Sequence, residues 1–345
     1  MSDKEDLLLQ ARTEINNYES TVQALHALVT TILYAPGRSL PDSHFSLGRR
    51  MRTSATNRIR PSVTVTPDAV IQQSADLGYV GEAKASLPTD QEHWEESVEQ
   101  LHKYDDDLVG WWTQDARVAV SDVVCLLGPG LAAKFAQFAN DLEAQRGWSF
   151  TRNRCFVEFM VIARARQFMY LKREAGTLTD GVMLQTLREG AMHRIEDLIG
   201  SPGAPRFYDA DPPPEHIMQL LWQHVFTRMK SEISDEQYDE SLGYWPIDVH
   251  LAELASELQS LYGSRGDAPG EVRYPRVKWV RTALEALVRV GLAEHVAAQH
   301  YRIRFRKLSG DVIEMFARHR SKSPTKEEPE AVQLELPGTE QPNPT

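Results

Sequence analysis

The sequence predicts an α/β unit over residues 1–200 and a mainly α unit over 216–320, joined by a linker at 201–215 and followed by a disordered tail at 321–345. Three observations predict this. Apolar residues alternate with period two through 62–85 and recur at three- and four-residue steps on either side. Ser201-Pro202-Gly203-Ala204-Pro205 and Pro212-Pro213-Pro214 interrupt the pattern between the two units. Beyond residue 320 the chain is rich in Pro, Glu, Lys and Thr, with little to bury.

Residues 5–33 form one amphipathic helix by pattern, because Leu8, Ile15, Val22, Leu25, Val29 and Ile32 recur at helical spacing. Ala35-Pro36-Gly37 stops it. A basic stretch from Arg49-Arg50-Met51-Arg52 through Arg58 and Arg60 is expected as strand and loop. Residues 62–66 alternate and run into Pro67-Asp68-Ala69-Val70-Ile71; after a turn at 74–76, residues 77–85 make the next strand. Pro88 to Asp90 open a helix expected over 91–108. A buried strand at 118–127, a helix at 131–144, a strand pair at 155–163 and 168–172, and a helix over 178–199 complete the first unit. The second contains helices at 251–261 and 276–290 around a polar turn at 263–270, then a strand at 301–306.

Composition narrows the function classes. Of 345 residues, 41% are hydrophobic and 25% charged, as in a soluble globular protein. No apolar run reaches a membrane span, and the acidic start Met1-Ser2-Asp3-Lys4-Glu5-Asp6 lacks the basic opening of a signal peptide, so a cytoplasmic chain with no membrane partner is expected. Cys125 and Cys155 sit in apolar segments and are expected as buried thiols; two cysteines neither staple a chain this long nor hold zinc. Gly128-Pro129-Gly130 lacks the Lys-Ser/Thr of a phosphate loop and is a turn, which removes an ATPase. The net charge of -11 makes the distribution of basic residues more informative than their sum.

The chemistry concentrates in Pro67-Asp68 and Glu82-Ala83-Lys84, with thirteen residues between the two acids. Residues two apart on a strand share a face, so Glu82 and Lys84 point the same way. A turn at Pro67 brings the Asp68 carboxylate towards Glu82. Two hard carboxylates suit one or two Mg²⁺ (or Mn²⁺), which polarise a phosphodiester and lower the pKa of a bound water. Lys84 can orient or deprotonate that water and stabilise charge developing on phosphorus. On the next helix, Gln100 and Tyr104 are four apart and share a face beside Trp94, Val98, Leu101 and Leu108. The same residues also suit a plainer role, Asp68 in a turn and Glu82 with Lys84 as a solvated pair.

In its order of strand-Asp, strand-Glu-x-Lys and helix-Gln-x-x-x-Tyr, the segment resembles the PD-(D/E)xK nuclease superfamily, in particular its RecB-like branch. The resemblance covers about residues 14–128. It implies a restriction-endonuclease-like mixed sheet flanked by helices, a metal-dependent deoxyribonuclease activity, and a further acid on the helix before the sheet. Glu14 and Glu19 are the candidates, and Glu19 lies closer to the apolar stripe. His93 is expected at the surface, and Trp111-Trp112 in the core rather than on a docking surface.

Helix, turn, helix and basic strand from 248 to 320 resemble a winged-helix domain. Residues 271–320 hold eleven basic side chains against five acids. Arg302, Arg304 and Arg306 share one strand face, and Lys278 and Arg281 lie on the second helix, which suits phosphates and a DNA groove; contact with a protein is the alternative. The expected function is cleavage of DNA in repair, restriction or anti-phage defence. An inactive nuclease fold serving as a DNA-binding scaffold is the alternative. A separately encoded helicase or regulator, and a second copy of the chain, stay open as partners.

Overall fold

The computed structural model describes residues 3–34, 43–53, 64–88, 90–113, 115–200, 204–233, 238, 240, 241, 243–263, 270–306, 308 and 311–322. Helix α1 (Asp3–Leu33) buries Ile15, Val22, Leu25, Val29 and Ile32, as its spacing predicts, together with Tyr18 and Leu28, while Leu8 is half-buried. Short strands β1 (His44–Ser46), β2 (Met51–Thr53) and β3 (Thr64–Val65) lead into β4 (Ala69–Gln72) and β5 (Leu77–Lys84). Helix α2 (Gln91–His102), β6 (Leu108–Val109), β7 (Val120–Leu127), α3 (Ala132–Arg146), β8 (Arg154–Ala163) and β9 (Gln167–Gly176) follow. Helix α4 (Gly181–Glu189), β10 (Ala191–Arg194) and α5 (Ile195–Ile199) end the large sheet.

That sheet is mixed, with strand order β1-β4-β5-β7-β8-β9-β10. The pairs β5–β7 and β7–β8 are parallel and the outer pairs antiparallel. One face packs on α1 through Tyr79, Ala83, Val124, Leu126 and Val157. The other carries Val80, Val123, Cys125, Leu127 and Phe156 against α2 and α3. With both faces covered, β5 and β7 are buried nearly throughout rather than in alternation. Gly78 is glycine because Trp111 lies against its backbone; a Cβ there would stand 2.2 Å from the ring.

The rest of the chain adds α6 (Pro214–Leu220), which runs through a π-helical stretch (Leu221–Phe226) into α7 (Thr227–Ser231). Then come β11 (Trp245–His250), α8 (Leu251–Tyr262), α9 (Val277–Arg289), β12 (Ala293–Ala297), β13 (His300–Phe305) and α10 (Val312–Ala317) with a 3-10 turn at Arg318–Ser321. A second sheet has the order β11-β13-β12, and a third, small one β3-β2-β6. The hydrophobic cluster on the α1 face of the large sheet continues through Phe207 and Ile217 to Leu284, Ile303 and Phe316. Among the described residues no helix is long and apolar enough to cross a membrane.

Three expected elements differ. The helix expected over 91–108 ends at His102, because Asp105, Asp106 and Asp107 are poor helix formers. Asp105 accepts hydrogen bonds from the Thr151 and Arg152 amides, and Leu108–Val109 is a strand. The strand expected through 62–71 is broken at Pro67-Asp68, so that β3 and β4 join different sheets. The helix expected over 178–199 is interrupted at Gly190, whose φ of +96° closes α4, and β10 then pairs with β9. Residues 54–63 of the basic stretch and 323–345 of the expected tail lie outside the described residues.

A buried ion cluster joins the two ends of the chain. Glu215, with a fully buried side chain, accepts hydrogen bonds from Arg320 Nε at 2.6 Å and Nη2 at 2.9 Å, and contacts His319 Nε2 at 2.9 Å. Arg320 Nη2 also donates to Glu14 of α1 at 2.7 Å. Burial pushes the Glu215 carboxyl up, but the donors from Arg320 and His319 outweigh it and hold it at about 2. The native carboxyl thus stays ionised where the unfolded one, at its ordinary 4.5, takes up a proton. Its stabilisation is complete above about pH 4.5 and is lost as pH falls towards 2. Glu215→Ala, which strands the Arg320 guanidinium, is expected to cost about 3–5 kcal/mol in urea denaturation at neutral pH. Glu215→Gln should flatten the acid limb of the stability profile.

Candidate functional site

The break at Pro67 sets Asp68 just before β4, beside β5, whose Gly81 faces Ala69 in the antiparallel register. Asp68 Oδ2 accepts the Ala83 amide at 2.9 Å, so the aspartate is fixed to the neighbouring strand one residue from Glu82. Glu82 and Lys84 share a face, and Lys84 Nζ stands 3.0 Å from Glu82 Oε1. The other oxygen, Glu82 Oε2, accepts the Tyr104 hydroxyl at 2.8 Å. That hydroxyl accepts Gln100 Nε2 at 2.7 Å, and Gln100 Oε1 accepts Lys103 Nζ at 2.8 Å. Tyr104 lies one residue past the α2 cap, Lys103, yet the four-residue spacing still brings it to Gln100. The five expected catalytic residues are therefore one connected group.

Burial sets its electrostatics. Asp68 is 5% and Glu82 6% exposed, while the Lys84 side chain keeps 35% of its surface. Burial first, and repulsion from Glu82 second, push the Asp68 carboxyl well above the usual aspartate range. The neighbouring Glu82 charge raises the Lys84 ammonium, overriding the effect of burial. Burial and the Glu82 charge raise the Tyr104 phenol, which stays a hydrogen-bond donor. Two carboxylates short of solvation and one ammonium invite further positive charge. Among the described residues no group of three or more His, Cys, Asp and Glu stands ready as a metal cage. The Asp68–Glu82 pair at the cleft wall can instead serve a hard cation that keeps most of its waters.

The group opens onto a cleft of about 430 Å³. Asp68, Glu82 and Lys84 form one wall, and Glu14 and Tyr18 of α1 another. The remaining wall is the segment from Tyr208 to Pro213, which the prolines had marked as a linker. It is packed instead, because Phe207 is fully buried and its two acids are held from the C-terminal part. Asp209 Oδ1 accepts the Tyr274 hydroxyl at 2.8 Å and also bonds Arg276. Asp211 accepts Trp279 Nε1 at 2.6 Å and Lys278 Nζ at 3.1 Å. The Tyr18 hydroxyl is buried behind this wall without a well-formed hydrogen bond.

Other expected residues fall as follows. Glu19 pairs with His216 at 3.3 Å and does not line the cleft, whereas Glu14 does. Lys278 is engaged by Asp211, while Arg281 is exposed on α9. Arg302 and Arg304 share a face of β13 as expected, but Arg302 pairs with Asp248 at 2.8 Å and Arg304 with Glu294. Arg306 is exposed just past β13. His93 is at the surface beside Asp90, Trp111 is in the core and both cysteines are buried. Asp209 and Tyr208 were missed by sequence reasoning. The available signal was the aromatic pair Phe207-Tyr208, too apolar for a solvated linker.

Comparison with family models, curated proteins and solved structures returns no match.

Because the raised Asp68 group holds its proton at a pH where the unfolded chain has lost it, native stability falls as pH rises from about 4 through the native pKa. In chelator, Asp68→Asn is therefore expected to be more stable than the wild type in urea at pH 8. The difference should close below about pH 4. An asparagine variant equally destabilised at both pH values would make Asp68 a packing residue only.

Proposed function

We propose that the chain is a divalent-metal-dependent nuclease of the PD-(D/E)xK kind that hydrolyses DNA phosphodiesters. The observation that carries this is the buried Asp68–Glu82 pair, with Lys84 on the same strand face and the Tyr104–Gln100 rung behind Glu82, at the wall of an open cleft. Asp68 and Glu82 are the residues that would hold Mg²⁺ or Mn²⁺, and Glu14 replaces Glu19 as the helix acid facing them. When bound, the metal supplies Lewis-acid polarisation of the phosphodiester and a water of lowered pKa. Tyr104 and Gln100 are positioning residues that fix the Glu82 carboxylate.

Lys84 holds its proton more firmly than an ordinary lysine in the metal-free site, so its role is to orient the attacking water and to stabilise charge developing on the phosphate. Proton abstraction, the other role its position allows, does not suit a raised pKa. The succession β11, α8, α9, then the β12–β13 hairpin has the order of a winged helix, which serves in this proposal as the DNA-binding module. Arg281 and Arg306 are its phosphate contacts, and Lys278 joins them by exchanging Asp211 for phosphate. Arg302 and Arg304 join only by exchanging Asp248 and Glu294 for phosphate.

End-labelled DNA, single- and double-stranded, incubated with the full-length protein in Mg²⁺, Mn²⁺ or EDTA tests the proposal. Cleavage is expected with metal only. It should be lost in Asp68→Asn and Glu82→Gln, and cut about 10²–10³-fold in Lys84→Ala. Tyr104→Phe, which keeps the ring, should cost about 10–100-fold. Undiminished cleavage by Asp68→Asn would remove the active site from this cleft.

A further inference from the structure

The strand registers place a second surface on the sheet face of Glu82 and Lys84. Lys84, Leu127 and Glu158 stand abreast across β5, β7 and β8, so these three strands reach the catalytic end of the sheet together. Strand β5 stops there, but β8 continues five residues further, to Ala163, and turns back as β9. At about 3.3 Å per residue the β8–β9 hairpin projects roughly 16 Å beyond the Lys84 level. Strand β10 pairs with its outer edge, Met192 beside Tyr170 and Arg194 beside Phe168.

The parity of the register decides which face this projection offers. Glu82 pairs with Cys125 and Cys125 with Phe156, so Phe156, Glu158, Met160 and Ile162 lie on the sheet face of Glu82 and Lys84. Opposite Met160 and Ile162 stand Tyr170 and Phe168. All four are only part-buried, and Met192 beside them is 47% exposed. At the tip Arg164 and Arg166 are exposed, and no described acid pairs with either. Arg194 at the edge stands 3.9 Å from Asp197. From 159 to 173 the sequence carries four basic residues (Arg164, Arg166, Lys172, Arg173) and no acid, in a chain of net charge -11. Lys172 faces Glu174 at 3.3 Å and Arg173 donates to the Gly176 carbonyl, so both are engaged away from the tip, where Arg164 and Arg166 stand exposed.

We infer that this projecting face of β8, β9 and β10 seats a single strand of DNA and feeds it to the cleft. The inference rests on the nuclease proposal for its direction but not for the binding itself. Aromatic side chains standing on a sheet stack on bases, which a duplex keeps covered, and flanking arginines hold the backbone. The cleft agrees with an unpaired strand, because its carboxylates are 5% and 6% exposed behind the wall of Tyr208 to Pro213.

The test uses full-length protein in EDTA and a fluorescent oligonucleotide of about twenty nucleotides, as a single strand and as a duplex, read by anisotropy across salt concentrations. The double variant Arg164→Glu/Arg166→Glu is expected to bind the single strand at least about tenfold more weakly than the wild type. Its salt slope should fall by roughly 0.7 for each phosphate it no longer neutralises. Phe168→Ala should weaken binding several-fold with the slope unchanged. Should the glutamate pair fail to fold, Arg164→Gln/Arg166→Gln gives the same reading with a smaller change. Metal-dependent hydrolysis of a thymidine dinucleotide, too short to reach the hairpin, should stay at the wild-type rate in all of these. Wild-type affinity in the hairpin variants overturns the inference, as does a wild type that binds no single strand, which would point to a protein on this face. Strand binding that needs the hairpin in a protein that cleaves nothing supports the seat and removes the nuclease proposal instead.

Discussion

Asp68 and Glu82 end up side by side where water reaches neither well, and two carboxylates in such a place repel each other and lack solvation. The surrounding structure is arranged around offsetting that cost. The Ala83 amide serves Asp68, the Tyr104 hydroxyl and the Lys84 ammonium serve Glu82, and Gln100 with Lys103 serve Tyr104. These partners come from β5 itself and from the end of α2, so the parallel packing of β5 on β7 and the early stop of α2 at His102 both matter to the site. What remains after these contacts is an Asp68 carboxyl that burial and the Glu82 charge hold well above the usual aspartate range.

The C-terminal part does more than follow the first in sequence. Through Asp209 and Asp211 its residues Tyr274, Arg276, Lys278 and Trp279 hold the far wall of the cleft in place. The basic side chains nearest the cleft are thereby committed to acids of the chain itself. Asp211 is held there twice, by Trp279 and in an ion pair with Lys278. The pair is exposed on both sides, with side-chain exposures of 58% and 65%, and exchange there costs little. Glu215 and Arg320 supply the firmer tie, because the Glu215 side chain is fully buried and that of Arg320 nearly so, and Glu14, half-exposed on α1, joins them through Arg320.

Much of the site could be read from the sequence because its parts are local. Glu82 and Lys84 are two apart on a strand, Gln100 and Tyr104 four apart along a helical turn, and both spacings translate directly into side-chain direction. The alternating burial of Tyr301, Ile303 and Phe305 against Arg302 and Arg304 followed from the same rule. What the sequence hid is long-range. Nothing local distinguishes Glu14 from Glu19, since the choice depends on how α1 lies over the sheet and on His216, almost two hundred residues away, taking Glu19. Asp248 and Glu294 reach Arg302 and Arg304 only through strand pairing in β11-β13-β12. The prolines of 202–214 obscured a packed wall, and Asp105-Asp106-Asp107 shortened a helix that apolar spacing alone extended to Leu108.

Whether Asp68 and Glu82 together make a divalent-cation site is tested by Mn²⁺ binding to the full-length protein, followed through loss of the free-ion EPR signal. The wild type is expected to take up Mn²⁺ and to release it to Mg²⁺. Uptake should be lost in Asp68→Asn and in Glu82→Gln, and kept in the distant Arg302→Ala. Equal Mn²⁺ uptake by the wild type and both carboxylate variants, or none by any of them, would contradict such a site.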